Sequence, residues 1–136
     1  MPKVHKEDLL YPELSYQLVG IFYEVYKTMG FGFQERYYQK AITALLEKNN
    51  IPFKEQVFVD LIIGDKNIAK GILDIVVEEK IVIELKKGNK FQNQNISQLN
   101  SYLKITGIQL GMLVNFTSKG VEFKRIVNIP NHNKNS

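Results

Sequence analysis

The sequence predicts an α/β domain built as one mixed sheet flanked by helices. Three observations carry this. Apolar residues recur at helical spacing in three segments, and they alternate or run unbroken in five others. The order is helix, helix, three strands, helix, two strands, and its strand–helix–strand passage favours a parallel pair inside the sheet. Two β-branched runs, Ile72 to Val77 and Ile81 to Leu85, flank a short polar turn and read as a central hairpin.

Taken in order, Pro12 suits the first turn of a helix, and Glu13 suits its positive end. Leu14, Leu18, Ile21, Val25 and Met29 form one amphipathic stripe, which Gly30-Phe31-Gly32 ends. A second helix is expected from about Phe33 to Lys48, stopped by Asn49-Asn50 and Pro52. Phe53 to Ile63 reads as a strand, with Val57, Val59 and Leu61 alternating against Gln56 and Asp60. Gly64-Asp65-Lys66-Asn67 is a turn, and the central hairpin begins near Ile68.

After the polar loop Lys87-Gly88-Asn89-Lys90, a third helix is expected from about Gln92 to Ile105. Ile96, Leu99 and Leu103 form its core stripe, and Asn95, Gln98 and Tyr102 form a polar stripe beside it. Ile108 to Phe116 is the apolar run of a strand buried on both faces. Val121 to Ile129, with Glu122, Lys124 and Arg125, reads as a last strand near a sheet edge.

The 136 residues suit a single domain over 1–136, with a core from about 14 to 128 and a disordered tail from Pro130 to Ser136. With 44% hydrophobic and 24% charged residues the composition is that of a soluble protein. No apolar run approaches the roughly 18 residues of a membrane span, and the opening residues lack the apolar stretch of a signal peptide. Zero cysteines exclude disulfides and thiolate metal sites and fit a cytoplasmic location. A net charge of +4 leans toward a polyanionic partner, although basic surface also serves solubility alone. His5 and His132 sit in the end segments, so a histidine-driven mechanism is not expected.

The central hairpin carries the chemistry. Each run holds one carboxylate where an apolar residue is expected, Asp74 in the first and Glu84 in the second. A three-residue turn, Glu78-Glu79-Lys80, pairs Val77 with Ile81 and brings Asp74 opposite Glu84. A two-residue turn would instead pair Asp74 with Leu85, since a slip of one residue exchanges the faces. The three-residue turn is the expectation. It keeps Ile83 and Leu85 on one buried face and gathers Asp74, Glu84 and Lys86 on the other. Two carboxylates across a hairpin repel each other, and a divalent cation between them removes that cost. Lys86 beside such an ion can position a water or neutralise a phosphate. On the motif alone, an exposed hairpin edge with ordinary surface charges remains an alternative.

In the second helix, Glu35, Tyr38, Ile42 and Leu45 share a face. Ile42 and Leu45 point into the core, which draws Glu35 toward it, and a buried carboxylate needs a partner. Glu35 then either leans over the hairpin as a further metal or water ligand, or simply complements the helix dipole.

These residues resemble a known family. Gly32-Phe33-Gln34-Glu35-Arg36-Tyr37-Tyr38 fits the signature of the GxxExxY proteins, a branch of the PD-(D/E)xK nuclease superfamily. Asp74 followed by Glu84-Leu85-Lys86 fits that superfamily's metal and catalytic signature. Gln98-Leu99-Asn100-Ser101-Tyr102 fits the Q-x-x-x-Y element of its recombination-exonuclease branch. The resemblance covers roughly Leu14 to Asn128 and departs at Leu73, where the superfamily's name has proline, and at Asn95, where many relatives carry histidine.

The resemblance implies a restriction-endonuclease-like core, α-β-β-β-α-β. In it Asp74, Glu84 and the Leu85 backbone carbonyl would hold Mg2+ or Mn2+, with Glu35 completing the acidic cluster. Lys86 would orient and activate the attacking water, Gln98 and Tyr102 would line the site, and Tyr38 would pack beside Glu35. The implied function is a metal-dependent nuclease cleaving phosphodiester bonds, in DNA ahead of RNA, with contacts to phosphate from Lys86, Lys87, Lys90, Lys104 and Arg36. A homodimer placing two sites on a duplex is compatible with it. The alternative is a non-catalytic nucleic-acid-binding or assembly module that keeps the nuclease fold.

Overall fold

A computed structural model of the chain describes residues 10–87 and 93–129. The tail from Pro130 to Ser136, both histidines, and Gly88, Asn89 and Lys90 of the polar loop lie outside the described residues.

Among the described residues the elements follow the expected order. They are α1 (Pro12–Met29), α2 (Glu35–Lys48), β1 (Phe53–Ile63), β2 (Lys66–Val77), β3 (Ile81–Leu85), α3 (Asn93–Thr106), β4 (Leu110–Thr117) and β5 (Gly120–Val127). The strands form one sheet in the order β1-β2-β3-β4-β5. Neighbours are antiparallel except β3 and β4, which run parallel because α3 returns the chain to the starting end of the sheet. β4 is buried along its whole length, as its apolar run requires, and β5 is an edge.

Helices cover both faces of the sheet. Leu18, Ile21, Phe22 and Val25 of α1 pack with Tyr38, Ile42 and Leu46 of α2 against Ile75, Val77, Ile83 and Leu85 and one side of β4. On the opposite face Leu99 and Leu103 of α3 pack on Val59, Leu73, Val76, Val82, Leu113 and Ile126. Each such apolar side chain taken out of water contributes about 1.5–3 kcal/mol. Gly111 of β4 lets α3 come close, since a Cβ there would stand 2.9 Å from Leu99 Cδ2.

Some expectations shift in detail. Leu46 fills the core position assigned to Leu45, which is only half-buried, and Phe22 joins the buried stripe of α1. α2 starts at Glu35 rather than Phe33, because Gln34 keeps an extended backbone (φ −69°, ψ 153°). Of the alternating residues in β1 only Val59 is fully buried, because the far end of the β1–β2 hairpin extends beyond α3's apolar stripe.

Two features of β2 set up the site. The register Ile75↔Ile83, Val76↔Val82 and Val77↔Ile81 leaves Glu78-Glu79-Lys80 as a three-residue turn, as expected. Extended by one step, it sets Asp74 opposite Glu84. The second feature was not expected. Leu73 and Val76 pack in the α3 core, whereas Ile75 and Val77 pack in the α1–α2 core. The in–out alternation of the strand therefore slips at Asp74. Across the ladder Gln56 takes a left-handed backbone (φ 50°) and leaves an otherwise continuous register, between Glu55↔Ile75 and Val57↔Leu73. This irregularity is where the chain turns a carboxylate out of a buried strand.

Candidate active site

Asp74 and Glu84 are joined through each other's backbones. The Asp74 N–H donates to Glu84 Oε1 at 2.8 Å, and the Leu85 N–H donates to Asp74 Oδ2 at 2.9 Å. The strands part beyond Ile75↔Ile83, and the two carboxylates take the positions that carbonyls would hold in a continued ladder. Gln39 of α2 accommodates the slip, its Nε2 donating to the Asp74 carbonyl at 3.2 Å.

This arrangement strains both acids. Glu84 is only 6% exposed. Burial pushes its carboxyl up to about 7, Asp74 adds to the rise, and the Asp74 N–H and Lys86 work against it. Asp74 is also raised by burial, opposed by the Leu85 N–H and by Lys86. One oxygen of each carboxylate is committed to an N–H. The others, Asp74 Oδ1 and Glu84 Oε2, have no protein donor among the described residues.

Glu35 is the first residue of α2, half-buried, where the helix N-terminus favours a negative charge. Burial and then Asp74 raise its carboxyl, while Lys86 and Lys87 pull it down. Glu35 thus feels the hairpin acids and both lysines. The expected three-acid cluster is not assembled, however. Among the described residues no three His, Cys, Asp or Glu side chains stand close enough together to hold one ion. Glu35 comes from the first turn of α2, whereas Asp74 and Glu84 are bound to each other's strands.

Lys86 follows β3, its N–H donating to the Val114 carbonyl at 2.9 Å. It lines a cavity of about 360 Å³ with Glu35, Tyr38, Leu85, Lys87 and the β4 residues Asn115, Phe116 and Thr117. Tyr38 also lines that cavity. It is 4% exposed, stacks on Phe116 at 4.3 Å, and donates its hydroxyl to the Gly30 carbonyl at 2.7 Å.

The α3 residues stand apart from that cavity. Gln98 is exposed, and Tyr102 is half-buried with its ring against Gly71 of β2, where a Cβ would overlap it. Asn95 is half-buried on the same helix. Of the expected phosphate contacts, Lys87 borders the cavity and Lys104 is exposed on α3. Arg36 turns onto Tyr37, with Nη2 2.9 Å from its hydroxyl. The sequence reading passed over Gln39 and the cavity-lining Phe31 and Phe33. Gln39 lies one helical turn after Glu35, and that spacing was its only signal.

Chemically, the site offers hard oxygen donors, two carboxylates and a neighbouring carbonyl, in a half-buried setting beside a lysine. That donor set suits a small divalent cation, and Mg2+ commonly takes one or two carboxylates and keeps several waters.

The sheet, its flanking helices and this acid pair define a restriction-endonuclease-like α/β fold. Residues 12–126 match the PD-(D/E)XK nuclease superfamily, and the chain belongs to it. Members of that superfamily generally use divalent metal ions. The fold is similar to that in a crystal structure of SSO0001 (TM-score 0.54, 21% identity), covering 94% of this chain and 62% of that one. It is also similar to an alkaline exonuclease, LHK-Exo, from Laribacter hongkongensis (TM-score 0.51, 15% identity), covering 95% of this chain and 73% of that one. The chain thus spans less than two thirds of the length of SSO0001. No curated protein matches it. No helix among the described residues is long and apolar enough to cross a membrane.

Proposed function

We propose that this chain is a metal-dependent nuclease that hydrolyses phosphodiester bonds, acting on DNA ahead of RNA in the cytoplasm. The observation that carries this reading is the Asp74–Glu84 pair, latched strand to strand and destabilised as a bare pair, with Lys86 within electrostatic reach of both acids. Asp74, Glu84 and the Leu85 carbonyl would hold Mg2+ or Mn2+, with Glu35 joining them through water or when substrate arrives. Such an ion polarises the phosphoryl group and brings the pKa of a bound water toward neutrality.

The chain's own residues supply the rest. The Lys86 ammonium holds the attacking water in line and offsets charge gathering on the phosphate oxygens. Glu35, whose carboxyl is raised by burial and by Asp74, is the candidate to accept the proton from that water. Tyr38 fixes the first turn of α2 and with it the position of Glu35. Gln98 and Tyr102 act from the α3 side, on substrate bound across the parted strands. A homodimer would place two such centres on one duplex.

A non-catalytic nucleic-acid-binding or assembly module is the second reading, favoured by the absence of a three-acid cluster among the described residues. One experiment separates them. Linear, supercoiled and single-stranded DNA, and RNA of matched length, are incubated with Mg2+, Mn2+ or EDTA, using wild type, Lys86→Ala and Asp74→Asn. The nuclease reading expects cation-dependent cleavage that falls by about 10²-fold or more in both variants. Binding that is equal in all three proteins, with no cleavage under any condition, would establish the binding module instead.

A further inference from the structure

The cavity beside Lys86, which neither Asp74 nor Glu84 lines, has an aromatic wall. Gly30-Phe31-Gly32-Phe33 joins α1 to α2, and both phenylalanines line the cavity while remaining 59% and 46% exposed. Gly30 and Gly32 take φ values of 69° and 106°, which side chains rarely adopt, and these glycines set the path that carries both rings. The arrangement is braced from beneath. Phe33 meets Tyr38 edge-on at 6.0 Å, Tyr38 stacks on Phe116, and Phe116 stacks on Tyr26 of α1 at 6.4 Å. The Tyr38 hydroxyl holds the Gly30 carbonyl at 2.7 Å and lies 3.4 Å from the Phe33 N–H.

Two neighbouring exposed rings rimmed by polar groups make the kind of apolar patch that marks a ligand-binding groove. The same cavity carries the cations of Lys86 and Lys87 and the edge of α2. Flat apolar faces beside cationic groups are the chemistry of single-stranded nucleic acid binding, where bases stack on aromatic side chains while lysines follow the backbone. A base inside a duplex has both faces covered by its neighbours, so only an unpaired base can use such a platform.

We propose that Phe33, with Phe31 beside it, is a stacking platform for an unpaired nucleobase next to the phosphate held at Lys86. The substrate class is then a single strand or a frayed or overhanging end, rather than a continuous duplex. This rests on the nuclease reading only in taking Lys86 to stand beside the scissile phosphate. The volume of the cavity, about 360 Å³, lies in the usual range for small-ligand pockets, about 300–1,000 Å³.

The test uses the full chain in EDTA, where no cleavage intervenes. Single-stranded oligonucleotides carrying 2-aminopurine at successive positions are titrated with wild type, Phe33→Ala, Phe31→Ala and Phe33→Tyr, alongside a blunt duplex of the same length. Stacking quenches the fluorescent base, and the expected result is quenching confined to one or two neighbouring positions. Phe33→Ala should lose that quenching and bind the single strand about tenfold more weakly. Phe33→Tyr should restore both, and duplex affinity should change little in any variant. A melting curve for each variant guards against misfolding.

No quenching at any position, or a Phe33→Ala affinity equal to wild type, would overturn the platform. So would an equal loss for strand and duplex, which would mark the rings as cover for another apolar partner. The two readings can fail separately. Quenching without cation-dependent cleavage would sink the nuclease proposal alone, and cleavage of single strands unaffected by Phe33→Ala would sink the platform alone.

Discussion

Asp74 and Glu84 latch β2 to β3 through their carboxylates, Glu84 Oε1 accepting from the Asp74 N–H at 2.8 Å and Asp74 Oδ2 accepting from the Leu85 N–H at 2.9 Å. The latch holds two like charges together in a buried setting, and its cost depends on pH. The folded state raises the Glu84 carboxyl from 4.5 to about 7, so between those values it binds more protons than the unfolded chain. Stability therefore falls as pH rises. The contribution is whole below about 4.5 and is lost as pH passes through 7. A difference of this size corresponds to roughly 3 kcal/mol. Asp74 and Glu35 are raised too, and add to the slope in the same direction. In EDTA the wild type should melt at a lower temperature at pH 8 than at pH 5, and Glu84→Gln should flatten most of that decline. An unchanged slope in Glu84→Gln would show that the acid pair is not the source.

Cation binding should reverse the same penalty. Mg2+ binding only the folded state at a hundred times its Kd stabilises by about 2.7 kcal/mol. The shift should be larger at pH 8 than at pH 5, because protonated Glu84 competes with the ion. Asp74→Asn should remove it. Differential scanning fluorimetry with Mg2+, Mn2+ and a monovalent control reads this without any substrate. A shift of equal size in Asp74→Asn would place the ion elsewhere.

Much of this arrangement was legible in the sequence, for identifiable reasons. The stripe Leu14–Leu18–Ile21–Val25, the stop at Gly30 and the apolar run of β4 reflect local periodicity and turn chemistry, and α1, α2 and β4 follow them closely. The three-residue turn that pairs Val77 with Ile81 was legible too, although β3 is buried on both faces, so burial of Ile83 and Leu85 alone did not require it. The slip at Asp74 was not legible. It depends on Gln56 taking a left-handed backbone on a neighbouring strand and on Gln39 reaching over from a helix, and neither has a local signature. Phe31 and Phe33 were passed over because a helix-ending segment rich in glycine explains itself locally. Their exposure together beside Lys86 exists only in the folded chain.

The contact between Tyr102 and Gly71 gives a test of how α3 is seated. A Cβ on Gly71 would overlap the Tyr102 ring, so Gly71→Ala forces the ring outward or α3 away from β2. Overpacking of this kind costs about 1–3 kcal/mol. Tyr102→Ala alone should cost something through lost packing, but the double variant should be more stable than the sum of the two changes predicts. A coupling of at least about 0.5 kcal/mol in urea unfolding is expected for residues in contact. Strict additivity would mean the ring is not held over β2.

The hairpin turn is another place where sequence and backbone disagree, and it can be improved. Glu78 and Glu79 both take left-handed conformations, φ 51° and 58°, and the Lys80 N–H closes the turn on the Val77 carbonyl at 2.9 Å. Positive φ at two consecutive turn residues is the type I′ pattern that Asn-Gly fits best, whereas ordinary side chains pay about 1–2 kcal/mol each to adopt it. The ion pairs that the glutamates make, Lys54–Glu79 at 3.1 Å and Lys80–Glu78 at 3.4 Å, are largely in solvent and worth little. Glu78→Asn with Glu79→Gly should therefore raise stability by about 1 kcal/mol, after the added freedom of glycine in the unfolded chain is subtracted. Because the turn fixes which residues of β2 and β3 face each other, the pH dependence of stability at Glu84 should survive the replacement unchanged. A double variant that melts higher but loses that dependence would mean the strands had slipped by one residue, with Asp74 now opposite Leu85 and the latch undone.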